Sequence, residues 1–258
     1  MSLRIFSLYS GSSGNAFLIA NGGDCILIDG GKNCKRLSAC ISACGRSPAD
    51  VRAVFVTHEH SDHIGALPVF AKRYRIPVHA AGESALALEA AGVSPELIVP
   101  HPVGYGETVG PFRVVSFPTP HDSRASVGYR IETETEEGIV SIGYATDMGV
   151  LTETVKENLI GCDYVILESN HDLDMLWNGG YPYYLKKRIS GARGHLSNAD
   201  CAAFAEELEQ SGTKRILLAH LSRENNTPEV AYNATAARLH DGKTLLFVAA
   251  PEEITELV

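Results

Sequence analysis

No stretch of the 258 residues stays apolar for the ~20 positions that a membrane-spanning helix needs. The opening "MSLRIFSLYSGSSGNAFLIANGG" also has no apolar core long enough for a secretion signal. A cytoplasmic protein with no membrane partner is the default expectation. The six cysteines, Cys25, Cys34, Cys40, Cys44, Cys162 and Cys201, form no C-x-x-C pair, which leaves free thiols in a reducing compartment as the simplest reading. Cys34, Leu37, Ile41 and Cys44 fall at helical spacing and read as one apolar face rather than a metal or redox site. Positive charge is scarce too. With 22 Lys and Arg against 31 Asp and Glu the formal net charge is −9, so the chain as a whole repels polyanions and any nucleic acid must be gripped locally. No repeat, low-complexity tract or long charged block marks a linker, and one domain over residues 1–258 is expected.

What is present is an ordinary globular composition, 45% hydrophobic and 21% charged, with no compositional sign of disorder. The first thirty or so residues alternate short β-type runs with Gly and Asn turns ("LRIFSLY", "AFLIA", "CILIDGG") and predict a β-meander. A helix near 33–44, a strand near 51–57, a helix near 64–74, a short strand at 76–80 and a helix at 83–91 follow. "FRVVSF", "SVGYRIET", "GIVSIGYAT", "DYVILES", "KRILLAH" and "TLLFVA" are the strand candidates of the second half. "SNADCAAFAEELEQSG" opens with Ser197 and Asp200 in a capping-box pattern, and Thr227-Pro228 suits an N-cap with Pro in the first turn. Strands followed by helices, twice over, predict two sheets packed face to face with helices outside.

The chemistry concentrates in "VTHEHSDHIGAL", residues 56–67, where three imidazoles and two carboxylates crowd into the six positions from His58 to His63. Such crowding makes sense only if a cation offsets desolvation and mutual repulsion, and nitrogen with carboxylate oxygen suits Zn, Mn or Fe. His58 and His60, two apart on extended backbone, point the same way and can share one ion; Asp62 and His63 can face a second. Two ions need further ligands. His121, Asp147 and His220 each close an apolar strand-like run, and a carboxylate such as Asp147 can bridge two cations where imidazole cannot. The expected centre is therefore His58, His60 and His121 on one ion, Asp62, His63 and His220 on the other, and Asp147 between.

"THEHSDH", with Asp29 ending an earlier strand and His121, Asp147 and His220 following in order, resembles the metallo-β-lactamase superfamily along essentially the whole chain. The resemblance implies an α/β fold, a four-layer αββα sandwich with a dinuclear site at one edge of the sheets, and Asp29 orienting the metal loop without binding metal. "YSGSSGNAFLI", "ATDMG", "ESNHD", "GHLSN" and "HLSRENN" are similar more narrowly to the YycJ/WalJ type, regarded as DNA exonucleases, with tRNase Z and PhnP-type phosphodiesterases as wider relatives. Asp147 stands where many β-lactamases of the superfamily place Cys, and no Gly-rich basic insertion suggests a tRNA-gripping arm.

A divalent pair ~3.5–4 Å apart acidifies a bridging water and stabilises charge on attacking and leaving oxygens, so hydrolysis by a metal-bridging hydroxide is the expected chemistry. "SGSSGN", Ser10 to Asn15, offers backbone N–H groups and hydroxyls as a nest for a phosphate oxygen, although a plain Gly/Ser turn has the same composition. His195, just before the Ser197 cap, sits where anions gather and can donate a proton to a leaving alkoxide, as a histidine does in enzymes similar to tRNase Z. Asp62 and His195 are thus the expected catalytic residues. Ser12, Ser13, Asn15, His171, Ser222 and Asn225 are the expected substrate contacts, and Glu168 is expected to orient His195. Arg193, Arg223 and the run Lys186 to Arg188 are local counterweights to the net charge, the run reading equally as a solvated face. His79, His101 and His240 lack companion ligands and read as structural or surface residues. The reading that follows is a phosphodiesterase acting on DNA ends or single strands. A small-molecule hydrolase of cyclic phosphodiesters or thioesters, and a non-catalytic metal-holding scaffold, stay open beside it.

Overall fold

The computed structural model describes residues 3–258. Its first half runs β1 (Leu3–Tyr9), β2 (Ala16–Asn21), β3 (Asp24–Ile28), α1 (Cys34–Ala43), β4 (Val51–Val56) and the short α2 (Ser61–Ile64). Next come α3 (Leu67–Tyr74), β5 (Val78–Ala81), α4 (Gly82–Ala90) and β6 (Ile98–His101). The second half runs β7 (Gly106–Val109), β8 (Phe112–Pro118), β9 (Val127–Thr135), β10 (Gly138–Ala145), α5 (Glu153–Leu159) and β11 (Tyr164–Glu168). It ends with α6 (Leu173–Asn178), α7 (Tyr183–Ile189), α8 (Asn198–Gln210), β12 (Arg215–Ala219), α9 (Pro228–Ala236), β13 (Leu245–Val248) and β14 (Thr255–Glu256).

The strands form two seven-stranded sheets, ordered β14-β1-β2-β3-β4-β5-β6 and β13-β12-β11-β10-β9-β8-β7. β1 to β3 pair antiparallel as the expected meander, and β3 to β6 continue in parallel through helical crossovers. In the second sheet β7 to β10 are antiparallel and β10 to β13 parallel. The parallel strands read as near-continuous apolar runs because both faces are covered.

Three apolar layers result. Phe17, Ile28 and Phe55 of the first sheet meet Val114, Tyr129 and Tyr144 of the second in the middle. Leu37, Leu67 and Leu88 of α1, α3 and α4 pack on the outer face of the first sheet, with Cys34, Cys40 and Cys44 buried among them as free thiols. Phe204 and Leu208 of α8 and Ala231 of α9 cover the second sheet. Sheets packed face to face between helices are the αββα sandwich expected from the sequence. Ser197 caps α8 through the Asp200 N–H, and Thr227 caps α9 through the Val230 N–H, as the sequence predicts.

The differences lie at the edges. β6, β7, β14 and helices α5, α6 and α7 go unanticipated by periodicity. β6 carries Pro100, which an edge strand tolerates because one face of its backbone has no partner. The sheets are stitched beside the motif of residues 58–63: the Tyr129 hydroxyl donates to the Val56 carbonyl at 2.5 Å, and the Val127 N–H donates to the Thr57 carbonyl at 3.0 Å.

Phe17 is buried between the sheets, edge-on to Tyr144 with centroids 5.0 Å apart. Phe17→Ala is expected to cost about 3–5 kcal/mol by opening a cavity between two sheets that cannot collapse independently. Urea denaturation should show a lower midpoint at unchanged slope.

Candidate metal centre and cleft

The motif leaves β4 at Thr57, whose N–H and Oγ1–H each donate to the Asp29 carboxylate at 2.8 Å. That double bond fixes the loop before the first ligand type appears. His60 occupies the N-cap position of α2, so Asp62 and His63 fall in its single turn. His121 lies three residues beyond β8, Asp147 two beyond β10, and His220 directly follows β12. Asp29, Asp147 and His220 all have left-handed backbone, with φ of 60°, 58° and 56°. Non-glycine residues adopt it at a cost, and here it turns three side chains off strand ends toward one point.

The ligand-type atoms of His58, His60 and His121 lie within 4.8 Å of one another, and so do those of Asp62, His63 and His220. Asp147 sits between the groups. Its Oδ2 is 3.4 Å from His63 Nε2, and its Oδ1 is 3.4 Å from His220 Nε2 and 3.9 Å from His121 Nε2. The structure thus brings together all seven residues expected to meet.

Four of the imidazoles are held by Nδ1, which turns Nε2 inward. His58 Nδ1 lies 3.1 Å from Thr57 Oγ1, His63 Nδ1 donates to Asp29 Oδ2 at 2.7 Å, His121 Nδ1 to the Gly194 carbonyl at 3.1 Å, and His220 Nδ1 to Glu168 Oε1 at 3.2 Å. Metal-binding histidines characteristically have the second nitrogen engaged in this way. Glu168 Oε1 also accepts from His195 Nδ1 at 2.7 Å, while Oε2 takes the Met148 and Leu196 N–H groups. One buried carboxylate therefore ties together the loops of Asp147, His195 and His220. Gly31 completes the packing, because a Cβ there would meet the Asp62 carbonyl at 1.9 Å.

Divalent cations fit this donor set. His58 Nε2, His220 Nε2 and Asp147 Oδ2 are buried with no hydrogen-bond partner, a costly state for polar atoms unless something charged completes them. Burial, with His63 and His121 beside it, keeps His58 neutral and ready to donate a lone pair. Burial disfavours charge on His220 as well, but Asp147, Asp62 and Glu168 outweigh it and raise its pKa to about 10. His63 is likewise raised, by Asp147 and Asp29 against burial. Against burial again, the imidazoles of His220 and His63, with Nε2 3.7 and 3.4 Å from its Oδ2, hold Asp62 well below the usual carboxylate range.

A cleft of about 270 Å³ opens over these groups, its walls including Ser12, Asp62, Asp147, His195, His220 and Ser222. His195 is partly exposed there, its Nδ1 spent on Glu168. Other expected contacts lie elsewhere. Asn15 is fully buried, bonding Gly11 at both N–H and carbonyl and lying 3.1 Å from His63 Nε2. His171 is buried beneath the loops and Asn225 is buried against Ser222, neither on the cleft wall. The phosphate nest needs correction too. The Gly11, Gly14 and Asn15 N–H groups are committed within the fold, and Ser10 Oγ accepts the His220 N–H. Ser12 is left at the cleft, and Ser13 Oγ accepts from Arg223.

His79 and His101 are each other's companions, with Nδ1 and Nε2 2.9 Å apart and Glu107 close by. Unanticipated from the sequence are Thr57, Asn170 and Tyr181, while Arg188, the end of the basic run, lines the cleft. Asn170 Nδ2 holds the His220 carbonyl at 2.8 Å, and Arg188 pairs with Asp122 at 2.6 Å beside the cleft. The tether of Thr57 is the one a sequence signal could have found, since it adjoins the motif.

Two mixed sheets between helices, with a His/Asp centre at their shared edge, define a metal-centred hydrolase. Residues 25–221 match the beta-lactamase superfamily domain, and the chain belongs to the metallo-β-lactamase superfamily of hydrolases. It is 34% identical over 233 residues to exodeoxyribonuclease YycJ of Bacillus anthracis, covering 90% of this chain and 87% of that one. It is 33% identical to exodeoxyribonuclease WalJ of Streptococcus pneumoniae serotype 2, covering 87% and 84%. Its fold is similar to that of YhfI from Bacillus subtilis, a metallo-β-lactamase fold protein, with TM-score 0.73 at 17% identity over 99% of this chain and all of that one. No helix among the described residues is long and apolar enough to cross a membrane.

Because His63 and His220 hold protons that a cation must displace, zinc binding is expected to release protons, with apparent affinity rising as pH rises toward about 10. Isothermal titration in two buffers of different ionisation enthalpy measures the release directly. Affinity independent of pH would contradict the protonation described.

Proposed function

We propose that this protein is a metal-dependent phosphodiesterase that shortens DNA from an end or along single strands, with two divalent ions, zinc, manganese or iron, as its cofactors. The observation that carries the reading is the convergence of seven ligand-type side chains, Asp147 central among them, beneath an open cleft, in a chain similar over nearly its full length to two exodeoxyribonucleases. His58, His60 and His121 would hold one ion and Asp62, His63 and His220 the other, with Asp147 placed between the two groups. Bound there, such ions supply Lewis acidity toward a phosphoryl oxygen and lower the pKa of water.

The chain's own residues do the rest. Asp62 is held ionised by its neighbours and aimed into the cleft, where it orients the attacking water. His195 has Nδ1–H committed to Glu168, which leaves Nε2 toward the cleft as the atom that can hand over a proton. From Nε2 a proton passes to the leaving alkoxide, so hydrolysis yields an alcohol end and a phosphate monoester. Ser12 and Ser222 supply hydroxyls on the cleft wall, and Arg188 a guanidinium beside it. Lining of this polarity suits a phosphodiester better than an acyl or lactam group.

A labelled single-stranded oligonucleotide incubated with manganese or zinc is expected to shorten progressively from one end, and chelation to stop it. Asp147→Ala is expected to lose metal occupancy. His195→Ala should keep its metal and lose about 10²–10⁴-fold in turnover. Metal analysis beside the turnover assay separates these, and loss of metal in both variants would remove the proton-donor role. If no strand shortens under any divalent ion while bis-p-nitrophenyl phosphate is hydrolysed, the substrate is a small phosphodiester.

A further inference from the structure

Residues 173–189 stand apart from the rest of the chain. None of their side chains joins the three apolar layers, and α7 has no buried residue at all. Yet the segment exposes Trp177, Tyr183 and Tyr184, at 40%, 67% and 74% of their surface. Large aromatic rings kept in water on two short helices, of which α6 buries only Leu176 and α7 nothing, point to a binding surface.

Its position and charge say what binds. Tyr181, Leu185, Arg188 and Ile189 of the same segment form one wall of the cleft; Tyr184 stands beside that wall on α7, and Tyr183 and Lys187 on the helix face beyond it. The Trp177 and Tyr183 centroids are 6.2 Å apart, and Lys187 Nζ lies 5.8 Å from the Tyr183 ring. The last turn of α7 holds Lys186, Lys187 and Arg188 and no acidic residue. Lys186 is spent on the Trp177 and Gly179 carbonyls, both at 2.8 Å, which fixes the loop carrying the rings. Lys187 makes no ion pair among the described residues. An unpaired cation among exposed rings is conspicuous in a chain of net charge −9. Stacking rings beside a cationic track are how proteins hold unpaired nucleic-acid strands, whereas a duplex hides its base faces.

Resting on the nuclease reading above, we propose that Trp177, Tyr183 and Tyr184 form a stacking platform for unpaired bases of a DNA strand whose end occupies the cleft, with Lys187 and Arg188 against its phosphates. The platform engages bases beyond the nucleotide being cleaved, and so selects a single-stranded or frayed end over a blunt one.

Trp177 is the only tryptophan, so its fluorescence reports on the platform directly. A cleavage-resistant phosphorothioate oligothymidylate added to the metal-loaded protein should quench it. Tyr183→Ala and Tyr184→Ala should each weaken that binding by at least about fivefold, with the Phe variants near wild type. The Phe variants and a thermal melt separate lost stacking from lost folding. Absence of quenching, equal quenching by a matched blunt duplex, or wild-type affinity in the doubly substituted Ala variant would each overturn the platform. If ordinary strands are still shortened in that case, the nuclease reading stands and the platform alone fails. If no strand is shortened while bis-p-nitrophenyl phosphate is hydrolysed, both fall.

Discussion

Two fully buried carboxylates, Asp29 and Glu168, hold the centre in shape. Asp29 accepts hydrogen bonds from His63 Nδ1 and from the Thr57 amide and hydroxyl; Glu168 accepts those of His195 and His220 and of the Met148 and Leu196 amides. Each therefore anchors an imidazole and the backbone beside it at once. An imidazole tethered at Nδ1 can present only Nε2, so tautomer and aim are decided together. Buried charge of this density is costly unless paired, and here every anchor oxygen has a donor.

The same sheet edge receives all the ligand types because of strand direction. β3 and β4 are parallel, as are β10, β11 and β12, and β8 is antiparallel to β9, which is itself antiparallel to β10. β3, β4, β8, β10, β11 and β12 thus deliver their carboxyl ends to the side where the candidate centre lies, and β9 runs the other way. In α/β sheets that side forms the ligand crevice. Left-handed backbone at Asp29, Asp147 and His220 then bends each chain sharply off its strand, and the ladder hydrogen bonds behind them offset the strain.

These features differ in how far they can be seen from residues alone. Strands and the outlying residues of the candidate centre are legible because His121, Asp147 and His220 each close an apolar run, and apolar period and burial report the same thing in a parallel sheet. The capping residues Ser197 and Thr227 were legible because caps act within three positions. The tethers were not. His121 bonds a carbonyl at Gly194, and His220 a carboxylate at Glu168, and no local pattern encodes pairing across 73 or 52 residues. "SGSSGN" misled as a phosphate nest because composition does not say where an amide points, and the Asn15 side chain claims the Gly11 N–H. The pairing of His79 with His101 arises across β5 and β6, neighbours only through the α4 crossover. α6 and α7 escaped notice because helices that bury little carry little amphipathic period.

Charge ties the centre to the surface around it. Asp29, Asp62, Asp147 and Glu168 place four carboxylates at or under the cleft floor, and the chain carries −9 overall. A phosphate approaching that floor would meet repulsion unless cations completed it, so ions bound there would also decide whether a polyanion could enter. The rim cannot do this alone. Arg188 is largely offset by Asp122, and Arg223 by Glu252, which leaves few free positive groups beside the opening. On the proposed reading, a strand would draw its affinity mainly from the centre and from stacking, with Lys187 and Arg188 as the few cations beside the rings. Binding through few phosphate contacts releases few counterions, and so depends only weakly on salt.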